Sequence, residues 1–251
     1  MTYRYFIRLA FRGTGFHGWQ VQLNGKSVQA EMIHALSTLL KEKTEVVGAG
    51  RTDTGVHAHK FFAHFDSSKQ GLSGNRDLIY NLNGILPKDI VVHEIKAVKA
   101  LAHARFSAIS RTYSYHIHQV KDSFLDGFSA YFPGNLDLEK MNRAAELLLE
   151  TTDFTSFSKG KTDVKTNICH VMLAEWIRDE HRLIFTIKAD RFLRNMVRAI
   201  VGTLLDVGYD RLCLSELKRI IERKDRSAAG ASVPACGLYL EDVEYPEDVF
   251  L

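Results

Sequence analysis

The densest group of side chains able to do chemistry lies in Gly48-Ala49-Gly50-Arg51-Thr52-Asp53-Thr54-Gly55-Val56-His57-Ala58. One carboxylate, Asp53, sits there among an arginine, two threonines and three glycines within eight residues. Glycines at that density allow positive φ and let backbone approach a ligand closely. A lone carboxylate in such a loop can act as a nucleophile or stabilise a developing positive charge. The same residue types also build a tight turn in which the Asp bonds nearby amides, and both readings stay open on residue types alone. His57, His59, His64 and Asp66 offer metal ligands, and His57 and His59 would share one strand face. No HExxH or comparable ligand string accompanies them, so core or strand-surface histidines are expected and no metal.

Charge is unevenly spread. The 251-residue chain has 33 Lys and Arg against 30 Asp and Glu, a net charge of only +3. From Ile95 to Lys121 there are five basic residues, three histidines and no acid. From Lys188 to Arg198 four basic residues face only Asp190, whereas Glu241 to Asp248 carries five acids and no base. Basic stretches on a nearly neutral chain fit either a polyanion-binding surface or ordinary solvated faces.

The rest of the chain must hold these groups in place. Composition is 45% apolar and 25% charged, that of an average globular protein, which excludes disorder, collagen and coiled coil for its bulk. No run of 18 apolar residues is present, so no membrane helix is expected. The start, Met1-Thr2-Tyr3-Arg4-Tyr5, enters strand-like sequence without the pattern of a leader peptide. Three widely spaced cysteines, Cys169, Cys213 and Cys236, argue against a disulfide framework and point to a reducing, cytoplasmic location. Alternation predicts strands over 3–11, 45–48, 58–66, 90–99, 111–119, 168–178, 182–189 and 237–245. Helical spacing predicts helices over 28–41 with Ser27 as cap, 76–86, 137–149 with Asp137 as cap, 192–206 and 215–223. Residues 150–166 read as a polar loop.

Thr2-Tyr3-Arg4-Tyr5-Phe6-Ile7 is echoed by Thr112-Tyr113-Ser114-Tyr115-His116-Ile117, with four identities in six. Both stretches open a similar run of strand, helix and paired strands. The expected architecture is therefore α+β: two related α+β halves, 1–105 and 106–251, sharing one mostly antiparallel central sheet flanked by helices. The first half carries the Asp53 loop and the second completes the cleft. Neither half has the strand–helix alternation of a Rossmann fold, and no P-loop string is present.

The Asp53 segment closely resembles the active-site motif of the tRNA pseudouridine synthase A (TruA) family. Further blocks continue the resemblance in order along almost the whole chain. They are Gly13-Thr14-Gly15-Phe16-His17-Gly18-Trp19-Gln20-Val21-Gln22, His103-Ala104-Arg105-Phe106-Ser107-Ala108 with Arg111-Thr112-Tyr113-Ser114-Tyr115, and Asp153-Phe154-Thr155-Ser156-Phe157. Phe192-Leu193-Arg194-Asn195-Met196-Val197-Arg198 with Val201-Gly202, and Ala228-Ala229-Gly230 through Pro234-Ala235-Cys236-Gly237-Leu238-Tyr239-Leu240, complete them. The chain departs from the family pattern at Arg12, usually Asp, at Thr54, commonly Ala, at Arg194-Asn195 and at Thr152.

The resemblance implies the pseudouridine synthase fold and an isomerase that converts uridine to pseudouridine at positions 38, 39 and 40 in the anticodon stem-loop of tRNA. It implies a homodimer, tRNA as partner, and neither metal nor organic cofactor. It makes Asp53 the catalytic carboxylate, Arg198 its opposite charge and Tyr113 the aromatic that stacks on the flipped uracil. Leu238 becomes an apolar wall, and Arg51 the residue that enters the RNA or holds a phosphate during extrusion. Thr14, His17, Lys159, Lys161 and Lys165 are expected as rim contacts to phosphates.

Overall fold

The computed structural model describes residues 1–23, 25–160 and 166–251. In chain order its main elements are β1 (Tyr3–Phe11), α1 (Val28–Leu40), β2 (Val46–Gly48), β3 (His57–Ser67), α2 (Arg76–Ile85) and β4 (Ile90–Val98). Then come β5 (Ser110–His118), β6 (Ala130–Tyr131), α3 (Leu138–Glu150), β7 (Val171–Asp179), β8 (Arg182–Ala189), α4 (Met196–Gly208), α5 (Leu214–Arg223) and β9 (Leu238–Glu244). The chain forms two compact units, Met1–Ile109 with Tyr239–Leu251, and Ser110–Leu238. The division expected after residue 105 left the last strand with the second half; by contacts that strand returns to the first unit. Among the described residues no helix is long and apolar enough to cross a membrane.

In the first unit β1 is central, antiparallel to β3 on one side and to β4 on the other. β2 adds antiparallel to the far part of β3, and the start of β9 runs parallel to the start of β3, with His57 opposite Tyr239. Strand periodicity turns Tyr5, Ile7 and Leu9 into the core, and Phe6 is buried too. α1 starts where the Ser27 hydroxyl accepts the Ala30 N–H (3.3 Å), and its Val28, Met32, Leu36 and Leu40 are buried. α2 starts where Asn75 Oδ1 accepts the Leu78 N–H (2.9 Å), and it stops short of Pro87.

In the second unit β8 lies between β5 and β7, antiparallel to both, with β6 parallel to the end of β5. The β7–β8 turn is made by Glu180 in the left-handed region (φ 54°) and His181, close to the expected hairpin. α3 is capped by Asp137, as read from the sequence, and buries Met141, Ala144, Ala145 and Leu148. The helix predicted over 192–206 begins later, at Met196. Asn195 takes a left-handed φ of 65°, which breaks the helical run. Leu193 is buried in the turn before it and Phe192 packs edge-on to Tyr113 at 5.0 Å. The four-residue apolar period runs back to 192 because Leu193 is buried and Phe192 packs on Tyr113, not because they are helical.

Each unit ties a helix to an exposed strand edge through one asparagine. Asn83 of α2 accepts the Val92 N–H (2.7 Å) and donates to the Val92 carbonyl (2.9 Å). Asn142 of α3 does the same to Trp176 of β7, at 2.7 Å and 3.0 Å.

Phe61 of β3 is fully buried between Trp19, stacked at 4.2 Å, and Phe11, edge-on at 5.4 Å. This stack fastens the loop after β1 to the sheet. Phe61→Ala is expected to cost about 3–5 kcal/mol of stability by lost burial and a residual cavity, as measured by urea unfolding.

Candidate active site

In the first unit β2 delivers the chain into the Asp53 loop and β3 takes it out. Ala49 donates its N–H to the Phe62 carbonyl (2.7 Å), so pairing with β3 ends at Ala49. The loop then folds against residues 12–19. Gly55 donates to the Phe16 carbonyl (3.4 Å), and Val56 closes a turn onto the Asp53 carbonyl (3.2 Å). Gly18 has φ +86°, and a Cβ there would lie 2.2 Å from the Thr52 carbonyl oxygen. No side-chain-bearing residue fits that approach. Asp53 is held half-buried, with Arg51 and Thr54 exposed beside it. The Thr52 hydroxyl is shielded from solvent without a partner among the described residues, a cost that a ligand group would relieve.

The neighbouring histidines serve the scaffold. His57 is buried, and its Nδ1 accepts the Gly13 N–H (3.2 Å). His59 pairs through Nδ1 with Glu241 (2.7 Å), and that hydrogen bond raises its pKa. Both rings stack on Tyr239, at 4.6 Å and 5.0 Å. His64 is buried, its Nδ1 accepting the Ala104 N–H (3.1 Å); burial first, then the Arg4 charge, pushes its pKa down to about 4. Asp66 takes a two-pronged ion pair from Arg4, at 2.7 Å and 2.8 Å.

In the second unit Tyr113 stands half-exposed on β5, opposite Ile187, with its ring edge-on to Phe192. Tyr115, two residues on, lies on the same strand face and is fully buried; its hydroxyl donates to the Pro234 carbonyl (2.7 Å). Arg198, in the first turn of α4, donates through Nε to the Val233 carbonyl (2.7 Å), while Val233 returns an N–H to the Arg198 carbonyl (3.2 Å). Tyr115 and Arg198 thus grip adjacent residues of one segment. Leu238 lies four residues beyond Pro234 and is buried. The second unit therefore brings Arg198 together with the segment leading to Leu238. Sequence reading passed over Tyr115 and Val233, because a buried strand tyrosine and a valine carbonyl carry no signature of chemistry.

The charged stretches divide between internal pairing and exposure. Glu241, Asp242 and Asp248 pair with His59, Lys60 and Lys99 at 2.7 Å, 2.7 Å and 3.1 Å, so the acidic tail neutralises cations of its own unit. Lys96 pairs with Glu94 (3.1 Å), and the departure Arg12 forms an ion pair with Asp89. Thr14, His17, Lys159 and Arg194 are exposed. Lys161 and Lys165 lie outside the described residues.

Known proteins resemble the chain over nearly its whole length. A family model described as tRNA pseudouridine synthase matches residues 144–246. The chain is 52% identical over 250 residues to a tRNA pseudouridine synthase A of Bacteroides thetaiotaomicron, covering 98% of this chain and 92% of that protein. It is 51% identical over 250 residues to one of Porphyromonas gingivalis, with 99% of each chain covered. A third, from Acetivibrio thermocellus, is 39% identical over 239 residues, covering 94% of this chain and 97% of that protein. The chain belongs to the tRNA pseudouridine synthase A family. Its mixed helices and mostly antiparallel strands are consistent with the pseudouridine synthase fold expected for that family.

The low pKa of His64 has a measurable consequence for this family member. An unfolded histidine takes up a proton near pH 6.5, while the folded one waits until about 4. Stability is therefore intact above pH 6.5 and falls as pH drops towards 4, by about 3 kcal/mol from this residue. Urea unfolding at pH 7 and pH 4 should show a smaller loss in His64→Gln than in wild type.

Proposed function

We propose that this protein isomerises uridine to pseudouridine at positions 38, 39 and 40 of the anticodon stem-loop of tRNAs, in the cytoplasm, as a homodimer and without metal or organic cofactor. The coarser statement, an isomerase that forms pseudouridine in tRNA, stands on family membership. The observation that carries the finer one is that the resemblance to this family runs in ordered blocks along almost the whole chain, with Asp53 itself in place.

The reaction breaks the N1–C1′ bond, turns the uracil and joins C5 to C1′. The C5 proton is lost and N1 gains one, so there is no redox change and no net hydrolysis. One carboxylate meets this demand, as in glycoside chemistry. Asp53 fills that role, by attack at C1′ or by assisting formation of a glycal. Arg198 supplies an opposite charge, which favours the ionised carboxylate. Tyr113 stacks on the extruded uracil and serves the proton at C5. Leu238 forms an apolar wall, and Arg51, exposed beside Asp53, meets the RNA as the target nucleotide leaves the stack. Most affinity comes from Lys and Arg contacts to phosphates and falls with salt.

Asp53→Asn keeps size and removes charge. It is expected to abolish turnover while leaving tRNA affinity within a few-fold; residual activity within tenfold of wild type would exclude Asp53 as the reacting carboxylate. Arg198→Ala is expected to make activity fail at a higher pH than wild type on acidification, with Arg198→Lys between them, because Lys keeps the charge but loses the planar fork. The measurement is the pH dependence of the single-turnover rate. An unmoved acid limb with weaker tRNA binding would make Arg198 a phosphate contact instead.

A further inference from the structure

The segment that Arg198 grips is itself held by residues to which no role has been given. Within the second unit, residues 229–233 lie along α4. A Cβ on Gly202 would stand 1.9 Å from the Ala231 carbonyl oxygen, so this strap runs directly against the helix backbone. Thr203, 1% exposed, donates its hydroxyl to the Ala199 carbonyl (2.9 Å) and accepts the Gly230 N–H (3.0 Å). A helix threonine commonly bonds back to its own preceding turn; accepting a donor from another segment is an added task. Arg226 spreads its guanidinium over three acceptors of the strap: the Ala229 carbonyl (3.4 Å), the Gly230 carbonyl (3.1 Å) and the Ser232 hydroxyl (2.8 Å). Asn195, just before α4, also donates to Ser232. Beyond these ties come Val233, bonded to Arg198, and Pro234, bonded to Tyr115.

On this geometry, and resting on the role given to Arg198 above, we infer that Thr203 and Arg226 are positioning residues for the reaction. They fix the strap so that the Val233 carbonyl holds Arg198 by Nε. A guanidinium is planar, so a fixed Nε–H sets the direction of both Nη groups, through which Arg198 meets any carboxylate two-pronged. A shift of an ångström in such a group lowers rate far more than affinity. Neither residue touches the reacting atoms.

The test uses Thr203→Val, which keeps shape and loses both hydrogen bonds, Thr203→Ser, which restores them, and Arg226→Met. Arg226→Lys, which keeps the charge but not the fork, gives the same reading should Thr203→Val not fold. Each is measured for single-turnover pseudouridine formation against pH, for tRNA affinity, and for solvent exchange of the Arg198 Nε–H in arginine-labelled protein. Thr203→Val and Arg226→Met are expected to slow the single-turnover rate at least tenfold with affinity within twofold. They should raise the acid limb as Arg198→Ala does and speed exchange of the Nε–H. Thr203→Ser should stay near wild type, and Thr203→Val should add nothing in an Arg198→Ala background. Losses that add in the double variant, or an unchanged rate despite a released Nε–H, would overturn the positioning role alone. A silent Arg198→Ala would overturn the role of Arg198 and the positioning role with it.

Discussion

Among the described residues, backbone lies against backbone at several glycines, closer than any side chain permits. At Gly18 the loop after β1 touches the Thr52 carbonyl, and at Gly202 helix α4 touches the strap at Ala231. The first contact holds the Asp53 loop against its own unit, and the second holds the strap whose Val233 carbonyl accepts from Arg198 Nε. Side-chain packing then locks each arrangement: the Phe11–Phe61–Trp19 stack pins the first loop, and Tyr115 and Arg226 pin the strap. A close-packed interior has few alternative arrangements, so both candidate groups inherit the rigidity of main chain rather than that of long, mobile side chains.

Charge follows a similar economy. By sequence, the stretch from Glu241 to Asp248 carries five acids and no base. Glu241, Asp242 and Asp248 pair with His59, Lys60 and Lys99 of the same unit. Exposed pairs of this kind add little stability each. Their effect is to occupy Lys60 and Lys99, which are then not free to meet a polyanion. Arg51 in the first unit, and Lys159 and Arg194 in the second, stay exposed.

Helices and strands with clean periodicity and side-chain caps could be read directly: α1 behind Ser27, α3 behind Asp137, and the β7–β8 hairpin. The start of α4 could not, because buried residues of a turn continue an apolar period as well as helical ones do. The return of β9 to the first unit was also invisible, since a strand's own pattern does not name its neighbour. At the site, the Asp53 loop stood out by its mix of glycine, arginine and carboxylate. Tyr113 and Arg198 did not, because a strand tyrosine and a helix arginine look alike wherever they occur; only the family resemblance picked them out. The strap contacts were beyond reach, since they are made largely by carbonyls that every residue carries.

The paired asparagines, Asn83 on Val92 and Asn142 on Trp176, have an effect beyond holding helices in place. β4 is an outer strand of the first unit and β7 an outer strand of the second, and an outer strand offers its unpaired N–H and carbonyl groups to any passing chain. Each carboxamide presents a donor and an acceptor in the spacing of a neighbouring strand, and so occupies one residue's outward pair completely. A foreign strand would have to displace it at that residue before it could zip along the edge. At these two residues the amides guard the edge of each unit against sheet-to-sheet association.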